Sequence, residues 1–336
     1  MGHFDASLRI DMIFSGKLRR YHTLPLWRQL LRPISIVLPN IRDAFLAGLG
    51  LLQSIVKLLL WRPDVVFTKG GFVCLPVGLA AKVLKIPLVI HDSDAHPGLT
   101  NRVLARWATS IATGAPLKNY PYPKAITRYV GIPVGEEFVP LKDEKRRAIK
   151  SQLGFDPNRS LVVITGGGLG AKRINDAVAK RLDTLLDTTS VALISGTAQY
   201  DELRAITPQD NSNFQLHAFL SEGMAALLGA ADVVVARAGA TTILELAALA
   251  RPTILVPNAF LTAGHQLKNA AAYAESGAVE IIDDHELSVN PQLLVDTLTT
   301  LLANEDQRNR MGELFHGYAK PNAAIDMADM IESAAK

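Results

Sequence analysis

Leu161-Val162-Val163-Ile164-Thr165-Gly166-Gly167-Gly168-Leu169-Gly170-Ala171-Lys172 carries five apolar or β-branched residues into four glycines, then into a segment of helical length, Ala171 to Leu186. An unalternated run of this kind predicts a strand covered on both faces, as in a parallel sheet flanked by helices. Glycine lets the backbone turn tightly and approach a phosphate closely. The helix start behind it offers unpaired N–H groups and the positive end of a dipole. A diphosphate would be held there by amides, without a metal. The stretch lacks the Lys-Ser/Thr ending of a P-loop and the spacing of the dinucleotide fingerprint. A turn that serves only strand-to-helix packing therefore stays open as the alternative.

The same grammar extends in both directions. Short apolar runs recur at Asp64 to Phe67, Leu88 to Ile90, Val191 to Ile194, Asp232 to Ala236 and Thr253 to Val256, with helical segments such as Thr241 to Ala250 and His265 to Ser276 between them. Alternation of strand and helix predicts an α/β fold with doubly wound parallel sheets. An internal echo points to two related halves: Pro63 to Phe67, Gly70-Gly71 and Ile86-Pro87-Leu88 in one, Ala231 to Val235, Gly239 and Arg251-Pro252-Thr253 in the other. Any two βαβ units share part of that pattern. Leu8, Ile10, Met12 and Phe14 alternate with Arg9 and Asp11 and predict a half-buried strand.

At 336 residues the chain exceeds the size at which one core usually keeps growing, so two domains are expected, 1–138 and 139–320. Gly131 to Gly135 and the charged run Lys142 to Lys150 mark the passage between them, and 321–336 forms a short amphipathic helix that returns to the first. Hydrophobic residues make up 49% and charged residues 20%, the profile of a folded protein. A net charge of +3 gives no dominant basic field for nucleic acid. The single Cys74 excludes an intramolecular disulfide framework. Ala44 to Trp61 is strongly apolar but interrupted by Gln53, Ser54 and Lys57. It predicts a buried or interfacial helix, capped at Asn40 and stopped by Pro63.

Candidate chemistry falls at strand ends. Arg237-Ala238-Gly239-Ala240-Thr241-Thr242 follows one strand and opens a helix with Glu245 one turn in, where a carboxylate can accept from both ribose hydroxyls. His265, Gln266 and Asn269 open another helix with donors and acceptors suited to sugar hydroxyls. In the first half Gly70-Gly71-Phe72 ends one strand, and His91-Asp92-Ser93-Asp94 ends the next, ahead of Gly98-Leu99-Thr100-Asn101. A general base is sought among His91, Asp92 and Asp94; capping of the following turn is the alternative for the aspartates. Lys17 to Arg32 carries five basic residues and no acid. Trp27, Leu30 and Leu31 are interleaved beside Arg28 and Arg32; a solvated helix face is one reading, and an anionic membrane surface as partner is the one implied by the family resemblance given below.

Taken in order, these segments resemble the MurG family, from about Leu8 to the C-terminus. The resemblance implies a GT-B fold of two facing Rossmann-like domains and inverting transfer of N-acetylglucosamine from UDP-N-acetylglucosamine to the undecaprenyl-diphosphate-linked acceptor lipid I. The product is lipid II, made for peptidoglycan at the cytoplasmic face of the inner membrane by a peripherally bound enzyme. The donor is a substrate, and no cofactor or metal is implied. By the same analogy Leu220 lies along the uracil, Ala240 to Thr242 meet the diphosphate, Glu245 holds the ribose and Gln266 contacts the sugar. Gly166, Gly167, Gly168, Gly170, Lys172, Arg237, Gly239, His265 and Asn269 complete the donor site, while Gly70, Gly71, Phe72, Thr100 and Asn101 meet the acceptor. Asp92 stands where the family carries Glu, Asp94 where it carries Asn, Gly135 for an arginine and Gly168 for a serine. Family members begin with a strand and a Gly-Gly-Thr-Gly-Gly-His loop, about 30 residues as a βαβ unit. Met1-Gly2-His3-Phe4 does not reproduce it, so the first domain is expected to be incomplete. Another glycolipid transferase of the same fold, or a non-catalytic UDP-sugar-binding protein, are the competing readings.

Overall fold

A computed structural model describes residues 9–17, 33–168, 170–258 and 265–335. One unit draws on Met1–Asp92, Pro97–Tyr129 and Ile325–Lys336, the other on Ser93–His96 and Val130–Ala324.

In the first unit a π-helical turn, Pro33–Val37, leads into α1 (Leu38–Trp61), followed by β1 (Val66–Thr68), α2 (Cys74–Val83), β2 (Leu88–Asp92), α3 (Leu99–Leu104), β3 (Ser110–Thr113) and β4 (Thr127–Tyr129). The four strands pair in parallel in the order β1-β2-β3-β4, with Phe67 opposite Val89 and Ile90 opposite Ile111. Leu58, Val66, Ala80, Leu88, Ile90, Leu104 and Ile111 form the core. Gly78 lets α2 meet Leu104, since a Cβ there would sit 2.6 Å from its side chain.

Two expectations are corrected here. Residues 9–17 form no strand: the Phe14 amide donates to Gln53 Oε1 at 2.8 Å, and Asp11 pairs with Lys57 at 3.1 Å, so the segment lies along α1. Alternation alone does not make a strand without a ladder partner. Asn40 is not a cap either, because α1 starts at Leu38 with Pro39 in its first turn. Arg62, left-handed at φ 50, ends it with its amide on Leu58 O at 2.8 Å.

In the second unit come α4 (Asp143–Gln152), β5 (Leu161–Thr165), α5 (Lys172–Thr188), β6 (Ser190–Ile194), α6 (Tyr200–Ile206), β7 (Phe214–His217), α7 (Met224–Ala230), β8 (Val233–Ala236), α8 (Ala240–Ala248), β9 (Thr253–Leu255), α9 (His265–Ala274), β10 (Glu280–Ile281), α10 (Asp284–Val289), α11 (Gln292–Ala303) and α12 (Glu305–His316). The last helix, α13 (Ala323–Ala335), begins here and ends in the first unit. The sheet is parallel throughout, in the order β10-β9-β8-β5-β6-β7. Val162 and Ile164 point into one core with Ile174, Val178 and Leu298. Leu161 and Val163 point into the other with Leu228, Ile243 and Phe315. Burial on both faces is what the unalternated sequence requires. The winding reverses between β5 and β8, and ligands of open α/β sheets bind beyond the carboxyl ends at such a switch point.

The internal echo extends to the hydrogen bonds. Lys85 (φ 57) and Ala250 (φ 54) end α2 and α8 in the left-handed region, and the next amide closes the same turn, Ile86 N on Ala81 O at 2.9 Å and Arg251 N on Leu246 O at 3.2 Å. Proline then starts each strand, and the neighbouring strand donates to it, Val66 N to Pro87 O and Val234 N to Pro252 O.

Candidate functional site

Beyond the carboxyl end of β5 the glycines do two jobs. A Cβ on Gly166 would lie 2.3 Å from the Ala171 amide, and one on Gly170 (φ +74) 2.5 Å from Ser195 O, so both serve close packing. Gly167 (φ +72) and Gly168 have nothing within 4 Å of such an atom; Gly167 donates to Thr165 Oγ1 at 3.2 Å and accepts from the Gly170 amide at 3.0 Å, which holds the loop and leaves Gly168 facing open space. α5 begins behind them with no side-chain cap, so its first amides stay unpaired. Lys172 is exposed and reaches Asp176 at 3.2 Å.

β8 delivers the second helix start. Gly239 precedes α8 in extended conformation, again with no side-chain cap, so the amides at Ala240, Thr241 and Thr242 are presented together. Arg237, expected at the ligand, is buried instead. It donates to Val256 O at 2.9 Å and Asp284 Oδ1 at 2.6 Å, while Arg173 takes the other oxygen of Asp284. Its guanidinium thus fixes the loop beneath Gly239. Glu245 is partly buried, and its carboxylate makes no hydrogen bond or ion pair among the described residues. Burial first, then the nearby Glu137 charge, push its pKa up. A carboxylate left without partners is suited to receive hydroxyl donors. Leu220 packs partly buried against the Leu228–Ile243 core.

α9 opens at His265. Gln266 Oε1 accepts from Asn258 N at 2.9 Å. Asn269 is 3% exposed and fully engaged: its Oδ1 accepts from Ala95 N at 2.8 Å, and its Nδ2 lies 3.2 Å from both Ala238 O and Asp94 Oδ1. One amide thus clasps Asp94 beside the start of α8, inside the second unit.

In the first unit β2 runs on through His91 and Asp92, which pair with Ala112 and Thr113. His91 has no exposed surface. Asp92 accepts from Gly98 N at 3.4 Å and, in a very short contact, from the Tyr122 hydroxyl. Burial, then the Asp92 charge, raise the Tyr122 pKa far above its usual value, so the phenol stays the donor. Nothing in the sequence marks Tyr122, thirty positions from its partner. Asn101 donates to His91 O at 2.9 Å and lies under Gly70 (φ +82), while Gly71 (φ +84) and the exposed Phe72 lie beyond. Thr100 is buried. Among His91, Asp92 and Asp94, only Asp94 is partly exposed. Trp27, Arg28, Leu30, Leu31 and Arg32 lie outside the described residues. No group of three or more His, Cys, Asp or Glu among the described residues is placed to hold a metal ion.

The pattern of the glycosyltransferase family 28 C-terminal domain matches residues 161–326, and that of its N-terminal domain residues 22–113. The chain is 33% identical over 301 residues, 89% of its length, to the UDP-N-acetylglucosamine–N-acetylmuramyl-(pentapeptide) pyrophosphoryl-undecaprenol N-acetylglucosamine transferase of Exiguobacterium sp., covering 81% of it. It is also 30% identical over 306 residues, 91% of its length, to transferase 3 of the same name from Bacillus thuringiensis, covering 80% of that protein. The crystal structure of MurG from Acinetobacter baumannii superposes with a TM-score of 0.71 at 27% identity, over 87% of this chain and 79% of that one. The fold, an α/β pair of parallel-sheet units of GT-B type, is shared more widely. UDP-GlcNAc 2-epimerase from Neisseria meningitidis, solved with UDP-GlcNAc, has a TM-score of 0.63 at 14% identity, over 86% of this chain and 81% of its own. With both domain patterns present and the transferases at this level of identity over most of their length, the chain belongs to glycosyltransferase family 28 and, within it, to the UDP-N-acetylglucosamine–N-acetylmuramyl-(pentapeptide) pyrophosphoryl-undecaprenol N-acetylglucosamine transferases.

Proposed function

We propose that the chain transfers N-acetylglucosamine from UDP-N-acetylglucosamine to lipid I with inversion, giving lipid II for peptidoglycan. The observation that carries the donor half is Glu245, an unpartnered carboxylate one turn behind the uncapped start of α8. In this reading it accepts from the ribose hydroxyls, and the amides at Ala240 to Thr242 and at Gly168 receive the diphosphate. The acceptor 4-hydroxyl attacks the anomeric carbon, the bond from that carbon to the diphosphate oxygen breaks, and UDP leaves with its new charge on those amides. Asp94 takes the hydroxyl proton. Transfer to lipid I, with none to diacylglycerol, is the expected assay result. Transfer to diacylglycerol alone would reassign the acceptor, and donor binding without turnover would favour the non-catalytic reading.

Glu245→Gln is expected to weaken UDP binding by about ten- to a hundredfold, the value of hydrogen bonds to a charged group. Calorimetric affinity within twofold of the parent would reject the ribose role. The sign with pH follows from the raised pKa: relative to the unfolded chain, folding favours the protonated form of Glu245, a contribution to stability lost as pH rises through the folded value. Hydroxyls bind the ionised form better, so UDP affinity falls as pH drops through that value, where binding is coupled to proton release. Glu245→Gln should flatten this dependence.

For location, we read α1 as lying in a membrane interface. Ile34–Trp61 is long and apolar enough to cross a membrane by length and composition. Its Asp43, Gly50, Ser54 and Leu58 stripe is buried in the unit, while Leu38, Phe45, Leu52, Leu60 and Trp61 are exposed. That division suits a helix lying on a bilayer, and the basic Lys17 to Arg32 run precedes it in the sequence. Leu60→Ser with Trp61→Ser should reduce sedimentation with anionic vesicles by about tenfold. Unchanged sedimentation would remove α1 from that role.

A further inference from the structure

A cavity of about 510 Å³ opens in the second unit at the amino ends of β5, β8 and β9. That is the sheet edge opposite Gly167 and Gly239, about 16 Å away across a five-residue strand. Its walls are α4, the turn before β5, the α8–β9 turn and α12. They are held close, since a Cβ on Gly312 of α12 would sit 2.5 Å from Ala250 O.

Arg146, Arg147, Lys150, Arg159, Arg251 and Arg308 line it. Against these six cations stand four acids, and only two of those are paired: Asp143 with Arg146, and Asp232 with Arg146 and Lys150. Glu305 and Glu313 are exposed at the rim and make no ion pair among the described residues. Three arginines hold main-chain carbonyls alone. Arg159 donates to Leu186 O, Arg308 to Leu301 O and Leu302 O, and Arg251 to Leu249 O at 3.0 Å and Ala231 O at 3.3 Å. Arg251 is 8% exposed, and its second terminal nitrogen makes no hydrogen bond among the described residues. Burial, and then the charge of Arg146, lower its pKa to about 10, against the weaker opposing pull of Asp232 and Asp143.

We propose that this cavity is a second anion site that takes the phosphate or diphosphate group of a soluble small molecule, with Arg251 at its floor and Arg147 and Arg308 at its mouth. Guanidinium forks match phosphate oxygens in pairs, and a buried guanidinium with no carboxylate in hydrogen-bond contact gains most from such a partner. The volume exceeds that of one phosphate and leaves room for the sugar or nucleoside that carries it. A ligand there lies at the far edge of the sheet from the transferred sugar, so the site is independent of the transferase reading.

Pyrophosphate titrated into the full chain at fixed ionic strength is the test. The expected result is a binding component that Arg147→Ala with Arg308→Gln weakens by at least about tenfold, and a melting temperature that pyrophosphate raises further in the parent than in that variant. Any binding at the glycine loops is untouched by these substitutions, so the difference reports the cavity alone. Arg251→Lys keeps the charge, loses the fork and should weaken the same component. Equal pyrophosphate affinity in parent and variants, or no binding at millimolar concentration in any of them, overturns the proposal.

Discussion

Asp94→Asn is expected to lower the turnover number for transfer to lipid I by about 10²- to 10⁴-fold, the usual value of a positioned general base, while leaving the KM for UDP-N-acetylglucosamine within a few-fold. The argument starts from access. His91 is sealed inside the first sheet and Asp92 is engaged by Tyr122 and Gly98, whereas Asp94 is partly exposed and held by Asn269, whose Nδ2 also contacts Ala238 O beside the start of α8. The substitution is nearly isosteric but cannot accept the acceptor proton. Steady-state kinetics with saturating donor would decide it. Turnover within threefold of the parent would remove Asp94 as the base.

Asp232→Ala is expected to cost about 3–5 kcal/mol of stability, the range for leaving a buried charge without its partner. Asp232 accepts from Arg146 at 2.5 Å, Lys150 at 2.6 Å and the Leu161 amide at 2.7 Å, tying α4 to the starts of β5 and β8. Lys150 has 6% of its side chain exposed and would keep only Arg159 O. Burial raises the Asp232 pKa, but the Lys150 contact and the other donors outweigh it, so the net shift is downward from 3.8. A depressed pKa gives stability that is present above the unfolded value and lost as pH falls through the folded one. Urea unfolding should therefore show a steeper acid loss below about pH 4 in the parent than in the variant. A loss under about 1 kcal/mol at neutral pH would place the cluster with ordinary surface pairs.

The second sheet was legible because its strands are chemically monotonous. Leu161 to Thr165, Asp232 to Ala236 and Thr253 to Val256 announce burial on both faces, and the glycines after the first two mark where each strand ends. β3, β4 and β7 gave no such signal, since Thr113, Arg128, Gln215 and His217 dilute runs of only three or four residues. What escaped the sequence was long-range partnership. The hold of Arg237 on Asp284, 47 positions on, is invisible from the strand end that carries it. So is the bond from the Ala95 amide, 174 positions away, to the Asn269 side-chain carbonyl. Residue type announces the chemistry available at a strand end, but which group remains free for a ligand depends on contacts no local pattern records.

The matched returns after α2 and α8 bend on Lys85 and Ala250, side-chain-bearing residues at positive φ, where Gly277 closes a similar turn after α9 with no such penalty. Each exception carries about 1–2 kcal/mol of local tension. Both lie where strands begin; the bends at Gly70, Gly71, Gly167 and Gly170, where strands end, are glycine and relaxed. Left-handed strain thus gathers where strands begin, and the glycine loops at the strand ends can shift without discharging the load that shapes each sheet.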